Sequence, residues 1–394
     1  MSNQLIIAKI KTSWVLLLAL STWTMAAIPL VASGKEITTF SQIQRLIIDS
    51  IKRRNTESYL RSFVQATHPG RMVGSSGHKK AFSYLKKSIR ELGGQNSLKR
   101  QVQVAGQQFV PEVNWAISLY QQDFERKIKT KFSPNSREYQ KWLRFTQQRI
   151  KILDSLKGVT GRNLVWEKLG RRYPQEVLLI GAHYDSLVSD PKTLLIKADE
   201  MMPGADDNAS GVSTLLALIK LLAPLELPRT VRIIFFDFQE LGFLGSRAYV
   251  EANKQQWKKE KIFGMLNLEM LGHDTKLDDT SKQLGNMRAY IRSPGDADGF
   301  KQDRILANQI LTAGAKQGSG VSFDLIPNGF DSSDHLPFWS AGLPAMFFTQ
   351  NWEEDFNHRG FNSSNDFSET INFVTLHHSA QFIAAGVLSW AFGI

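Results

Sequence analysis

The chain has 394 residues, 42% of them apolar, with a formal charge of +11 and no cysteine. That length and apolar content suit one large globular domain or two modest ones and exclude a disordered chain, while the missing thiols exclude a disulfide framework and leave His and carboxylates as the ligands for any metal. The positive charge is spread over short clusters with no nucleic-acid-binding signature, which reads as a solvated basic surface open to anionic envelopes.

No residue between Lys11 and Lys35 is charged, and the run VLLLAL (Val15 to Leu20) lies behind Lys9 and Lys11 and ahead of Ala26, Ala27, Ala32 and Ser33. Basic start, apolar centre and small-residue end are the order of an export signal over residues 1–33. The uncharged span is also long enough to stay as a membrane anchor. On either reading the mature domain, residues 34–394, is extracytoplasmic, periplasmic or secreted. It touches membrane only through the N-terminal segment or its basic surface.

From Thr38 to Gly94, apolar residues spaced by three and four in FSQIQRLIIDSIKR and KKAFSYLKKSIRELGG predict helices, the second stopped by its paired glycines. HPGRMVGSSG between them is a loop by its Gly and Ser content. From Val113 to Lys157 runs a basic stretch studded with Trp115, Tyr120, Phe124, Phe132, Tyr139, Trp142 and Phe145. It predicts two helices broken at Ser133-Pro134, a hairpin packed on the body. A lid over a site, or a surface touching membrane, are its alternatives.

After Gly161 short apolar runs alternate with helices. VLLIGAH, TVRIIFFDF, IFGMLNLEML and AMFFT read as strands; SGVSTLLALIKLLAPL, GFLGSRAYVEAN, DRILANQILTAGAKQ and the stretch from Ile371 to Phe392 read as helices. Continuous β-branched and aromatic runs alternating with helices predict an α/β fold, a mostly parallel central sheet with helices on both faces. In such folds ligands gather at the carboxyl ends of the strands.

Polar residues fall at those ends. VLLIGAH ends in His183 with Asp185 just beyond, GADDNASG brings Asp207 ahead of a helix, IIFFDF ends in Gln239 and Glu240, and GMLNL ends in Glu269. Singly, each has a plain structural reading as a loop histidine, a helix cap or a carboxylate at a helix N-terminus. Together, an imidazole and carboxylates at successive strand tips fit zinc. Asp185 is placed to accept the other ring N–H of His183 and fix its tautomer.

The segments GAHYDS, PGADDNASG, ELGFLGSRAY, NLEMLG and SSDHLPFWSAGLPAMFF resemble the zinc aminopeptidases of metallopeptidase family twenty-eight, which also contains glutaminyl cyclases and catalytically silent receptor ectodomains. The resemblance runs from about His68 to the C-terminus, with residues 113–157 looking like an insertion. It implies that His183 binds one zinc, Asp207 bridges two, Glu240 holds the other, and Glu269 stands where the family usually has Asp. It also implies that Asp185 orients His183, and that Asp334 and His335 lie near the site without being ligands.

Two positions depart from the family pattern. Gln239 stands where the family has its general-base Glu, and Asn362 where it has a ligand His, with His358 the nearby substitute. The resemblance therefore implies an exported zinc aminopeptidase acting on peptides, impaired at Gln239 and Asn362. A silent ectodomain that binds rather than cleaves is the alternative, and a glutaminyl cyclase is a lesser one, because the family's cyclases use the same two columns. Two zinc ions are expected of an active enzyme and one or none of a silent one.

Overall fold

Alternation along the central strands sets the architecture. In β3 (Tyr173–His183), Leu178, Ile180 and Ala182 enter one apolar cluster while Val177 and Leu179 enter another. The next strand, β4 (Arg229–Phe236), divides the same way, Val231, Ile233 and Phe235 against Ile234 and Phe236. Strands apolar on both faces need cover on both. The structure, a computed structural model, describes residues 37–94, 101–275 and 287–394; the export segment expected at 1–33 lies outside them.

Among the described residues eight strands form one sheet in the order β1-β2-β4-β3-β5-β8-β6-β7. The others are β1 (Val102–Phe109), β2 (Gly161–Lys168), β5 (Lys261–Leu268), β6 (Met287–Tyr290), β7 (Phe323–Ile326) and β8 (Ala345–Thr349). The pairs β3–β4, β3–β5, β5–β8 and β6–β7 are parallel; β1–β2, β2–β4 and β6–β8 are antiparallel. The sheet is thus mostly parallel at its centre, with antiparallel additions that the apolar runs did not announce.

One face is covered by α1 (Phe40–Ser50), α2 (Arg53–Ala66), α3 (Ser76–Gly93), α6 (Gly211–Leu222), α8 (Ala297–Gln317) and α10 (Phe373–Phe392). Against the other pack α7 (Leu244–Asn253) and α9 (Leu336–Ser340). The helix expected over FSQIQRLIIDSIKR is shorter than its pattern: α1 stops at Ser50 because Ile51 turns extended, with φ −95° and ψ 95°, and buries its side chain. A second helix then starts at Arg53.

The aromatic, basic stretch is a helical hairpin. Its first arm, α4 (Val113–Asp123), runs into a π-helical turn over Phe124–Lys129, and α5 (Arg137–Ser155) returns. Val113, Ala116, Leu153 and Leu156 pack on Leu187, Ile196, Phe238, Leu241 and Leu244, so the hairpin rests on the segments that leave β3 and β4. Those are the carboxyl ends of the parallel strands.

Candidate metal centre

Register brings the strand ends level. His183 pairs with Phe236 of β4, and Gly181 with Asn267 of β5, so the residues just beyond β4 and β5 flank His183 on either side. Glu240 and Glu269 arrive there. Asp207 comes by another route: not from a strand tip, as the sequence implied, but from the tight turn Ala205–Ser210 that opens α6. A Cβ on Gly211 would lie 2.5 Å from Asn208 Oδ1 and 2.6 Å from the Leu268 carbonyl oxygen, so glycine lets the helix begin directly against the end of β5. Asp366 fixes the turn by accepting from the backbone N–H of Asp206 at 2.9 Å and of Asp207 at 3.0 Å.

The result is a buried convergence of His183, Asp207 and Glu269, with donor atoms within 4.8 Å of one another. His183 Nε2 lies 3.2 Å from Asp207 Oδ1 and 3.7 Å from Glu269 Oε2. Both ring nitrogens of His183 and Asp207 Oδ1 lack a hydrogen-bond partner, and a buried polar atom left so costs about 1–3 kcal/mol. Burial, with the Asp207 charge adding to it, pushes the Glu269 carboxyl up to about 8. Burial and Asp207 also push Glu240 well above the usual carboxylate range. On His183 burial opposes the charge, yet Asp185, Asp207 and Glu269 together raise its pKa well above the ordinary value. Orphaned donor atoms inside crowded negative charge are what a divalent cation relieves, and the imidazole and two carboxylates are the donor set zinc takes. The residues fit one ion.

A second ion fits less well. Asn362 Nδ2 lies 3.4 Å from Asp207 Oδ2 and 3.4 Å from Glu240 Oε2, so an amide N–H donor stands between the two carboxylates that would share it. Glu240 Oε1 has no partner. The substitute ligand expected from sequence, His358, does not join the cluster: it is exposed and stands edge-on to Phe356, with ring centroids 4.5 Å apart. Its neighbour Asn357 turns inward instead and donates from Nδ2 to Asp206 Oδ2 at 3.0 Å.

Gln239 donates from Nε2 to Glu269 Oε2 at 3.4 Å. Asp185 lies 3.5 Å through Oδ1 from His183 Nδ1, longer than a hydrogen bond, and its two oxygens accept from the backbone N–H of Gln239 and Glu240 at 3.1 Å each. Asp334 accepts from Ser246 Oγ at 2.6 Å, and burial pushes its carboxyl up to about 7. His335 donates from Nε2 to the Phe330 carbonyl at 2.6 Å and stacks on Phe347. Neither of the last two belongs to the converging group.

Two supports carry no local sequence signal. Ser333 Oγ donates to Glu269 Oε2 at 2.5 Å while accepting from Asn267 Nδ2 at 2.7 Å, a line that aims the carboxylate. Arg71 is fully buried beneath the site and donates to the carbonyls of Tyr184, Pro203 and Gly204 at 2.7, 2.6 and 2.7 Å.

The profile of Peptidase family M28 matches residues 163–387. Aminopeptidase YwaD of Bacillus subtilis is 28% identical over 232 residues, 58% of this chain and 44% of that protein. Leucine aminopeptidase 1 of Ajellomyces capsulatus is 25% identical over 224 residues, 55% of this chain and 53% of its own. The chain spans about half the length of these curated relatives. Among solved structures, the LapA aminopeptidase of Legionella pneumophila superposes with TM-score 0.61 at 17% identity, covering 92% of this chain and 78% of the other. The glutaminyl cyclase of Porphyromonas gingivalis gives 0.57 at 17%, covering 86% and 98%. At those identities the likeness shows the fold alone.

Proposed function

The chain belongs to Peptidase family M28, and from that premise we propose that it is an exported aminopeptidase that works with a single tightly held zinc ion and turns over slowly. The observation that carries the reading is His183 Nε2 standing 3.2 Å from Asp207 Oδ1 with neither atom in hydrogen-bond geometry, and Glu269 closing the triangle. Zinc held by these three would supply Lewis acidity toward a peptide carbonyl and bring the acidity of water near neutral pH.

The chain's own residues define what is left to do. Asn362 occupies the place of a second ion's ligand with an N–H donor, which favours one ion over two. Glu240 Oε1, without a hydrogen-bond partner beside Asp207, offers an acceptor to the α-ammonium of a peptide. Gln239 has a neutral amide that accepts no proton, and losing a general base costs about 10²- to 10⁴-fold in rate. The export part of the proposal is motivated by the charge-free span ahead of Lys35; it is tested by fractionating cells that express the full chain, and cytoplasmic recovery overturns it.

A second reading, a silent binding domain, is favoured by one contact: the Gln239 amide is already engaged with Glu269. Metal analysis after zinc dialysis, together with leucyl anilide turnover, separates the two. The peptidase reading expects one zinc per chain and measurable turnover below the rate typical of good enzymes, about 10 s⁻¹. His183→Ala and Asp207→Ala should each lose the metal, while His335→Ala keeps it. No zinc and no turnover supports the silent reading.

A further inference from the structure

The helix α5 carries a cation, two of whose nitrogens find no acceptor among the described residues. Arg149 is 6% exposed, and its Nε and Nη1 have no hydrogen-bond partner. Its guanidinium lies 4.9 Å over the Phe145 ring, a cation–π contact. That contact leaves the Nε and Nη1 N–H groups without an acceptor, which an anion would supply.

Its neighbours lead to the metal centre. Gln148, the preceding residue, donates to the Ile196 carbonyl at 3.1 Å and accepts from the Ile196 N–H at 2.7 Å. The same loop reaches Asn362, whose carbonyl accepts from the Ser189 N–H at 2.9 Å. Across the hairpin Tyr120 stands edge-on to Phe145, with centroids 5.9 Å apart. On α4, Ala116 approaches the loop of Glu240 so closely that a Cβ on Gly242 would lie 3.0 Å from it. The hairpin, with ten basic and four acidic residues between Val113 and Lys157, also carries +6 of the chain's +11.

We propose that Arg149 forms a carboxylate-binding subsite beside the metal centre and selects peptides that bring a negative charge to it. The charge is either an acidic side chain of the peptide's first residue or the C-terminal carboxylate of a short peptide. A guanidinium donates N–H groups in a planar fork that matches a carboxylate, and a desolvated one does so strongly. The surrounding basic hairpin raises the local concentration of such peptides. The ligand class rests on the peptidase reading.

The test is calorimetric binding to the zinc-loaded protein of dipeptides methylated at the scissile nitrogen, so that they bind without being cleaved. One arm compares a Glu-Leu amide with a Gln-Leu amide; the other compares Ala-Leu with its C-terminal amide. The charged member of one pair should bind at least about tenfold more tightly, and Arg149→Met should erase the difference. Should Arg149→Met fail to fold, Arg149→Gln takes its place. Equal binding within both pairs, absence of binding by all four peptides, or discrimination that survives the substitution overturns the subsite. Failure of the peptidase reading is seen separately, as no zinc-dependent turnover of a leucyl anilide, because the binding comparison needs no catalysis.

Discussion

The side-chain nitrogen of Gln239 lies 3.4 Å from Oε2 of Glu269. A carboxylate at position 239 would face Glu269 across the same gap, and two like charges in a dry site cannot both ionise until a cation arrives. Gln239→Glu alone should therefore melt earlier than the natural chain in chelator and recover on adding zinc. Joined with Asn362→His, it should raise leucyl anilide turnover at least about tenfold. A double variant that binds two zinc ions and is no faster would place the block in the substrate cleft and strengthen the silent reading.

Ser333 holds Glu269 through its 2.5 Å hydrogen bond and is itself held by Asn267. Removing a group that orients a ligand typically costs about 10- to 100-fold in metal affinity. Ser333→Ala should weaken zinc binding by that order with little change in melting temperature of the metal-free protein. Unchanged affinity in a competitive chelator titration would show that Glu269 needs no such support.

The Arg71 guanidinium satisfies three main-chain carbonyls at once. Burial pulls its pKa down to about 10 even though Asp366, Asp185 and Asp207 oppose that shift. Arg71→Leu leaves those carbonyls without donors, and the expected loss in urea unfolding is at least about 3 kcal/mol. Arg71→Lys should recover only part, since an ammonium lacks the planar fork. A loss below about 1 kcal/mol in Arg71→Leu would mean that the loop re-forms its bonds elsewhere.

His335 is neutral in the fold, because burial pushes its pKa down to about 4. An unfolded histidine takes its proton near 6.5. The stability that depends on this group is thus fully present above about pH 6.5 and is lost as pH falls toward 4, reaching about 2 kcal/mol by pH 5. His335→Gln, which keeps a donor for Phe330, should flatten the fall in unfolding free energy between pH 7 and 5 by roughly that amount. An unaltered slope would assign the acid sensitivity to other groups.

The parts of the centre that follow from sequence are those set by strand ends. His183, Glu240 and Glu269 each end an apolar run, and register then carries them together. Asp207 is legible as a residue but not as a place, because the turn that delivers it depends on Asp366, which lies 159 residues away. His358 marks the limit: the segment from Asn351 to Asn362 has no period to say which side chains face inward, and Asn357 does so instead. Arg71 and Ser333 act across 113 and 64 residues, and contacts at that separation leave no local pattern. The strand β1 escapes for a different reason: in VQVAGQQF the apolar run is broken by glycine and glutamines, and the residues between its buried ends are exposed or half-buried.

Asp185 reaches Gln239 and Glu240 through their peptide N–H groups, not their side chains. The main chain alone therefore sets where a side chain at position 239 starts, while its fit depends on the charge it brings to Glu269. The backbone course is uncoupled from reactivity at this point, and the charge balance is not. An acid put there inherits the amide's starting point beside His183 and differs from it in charge.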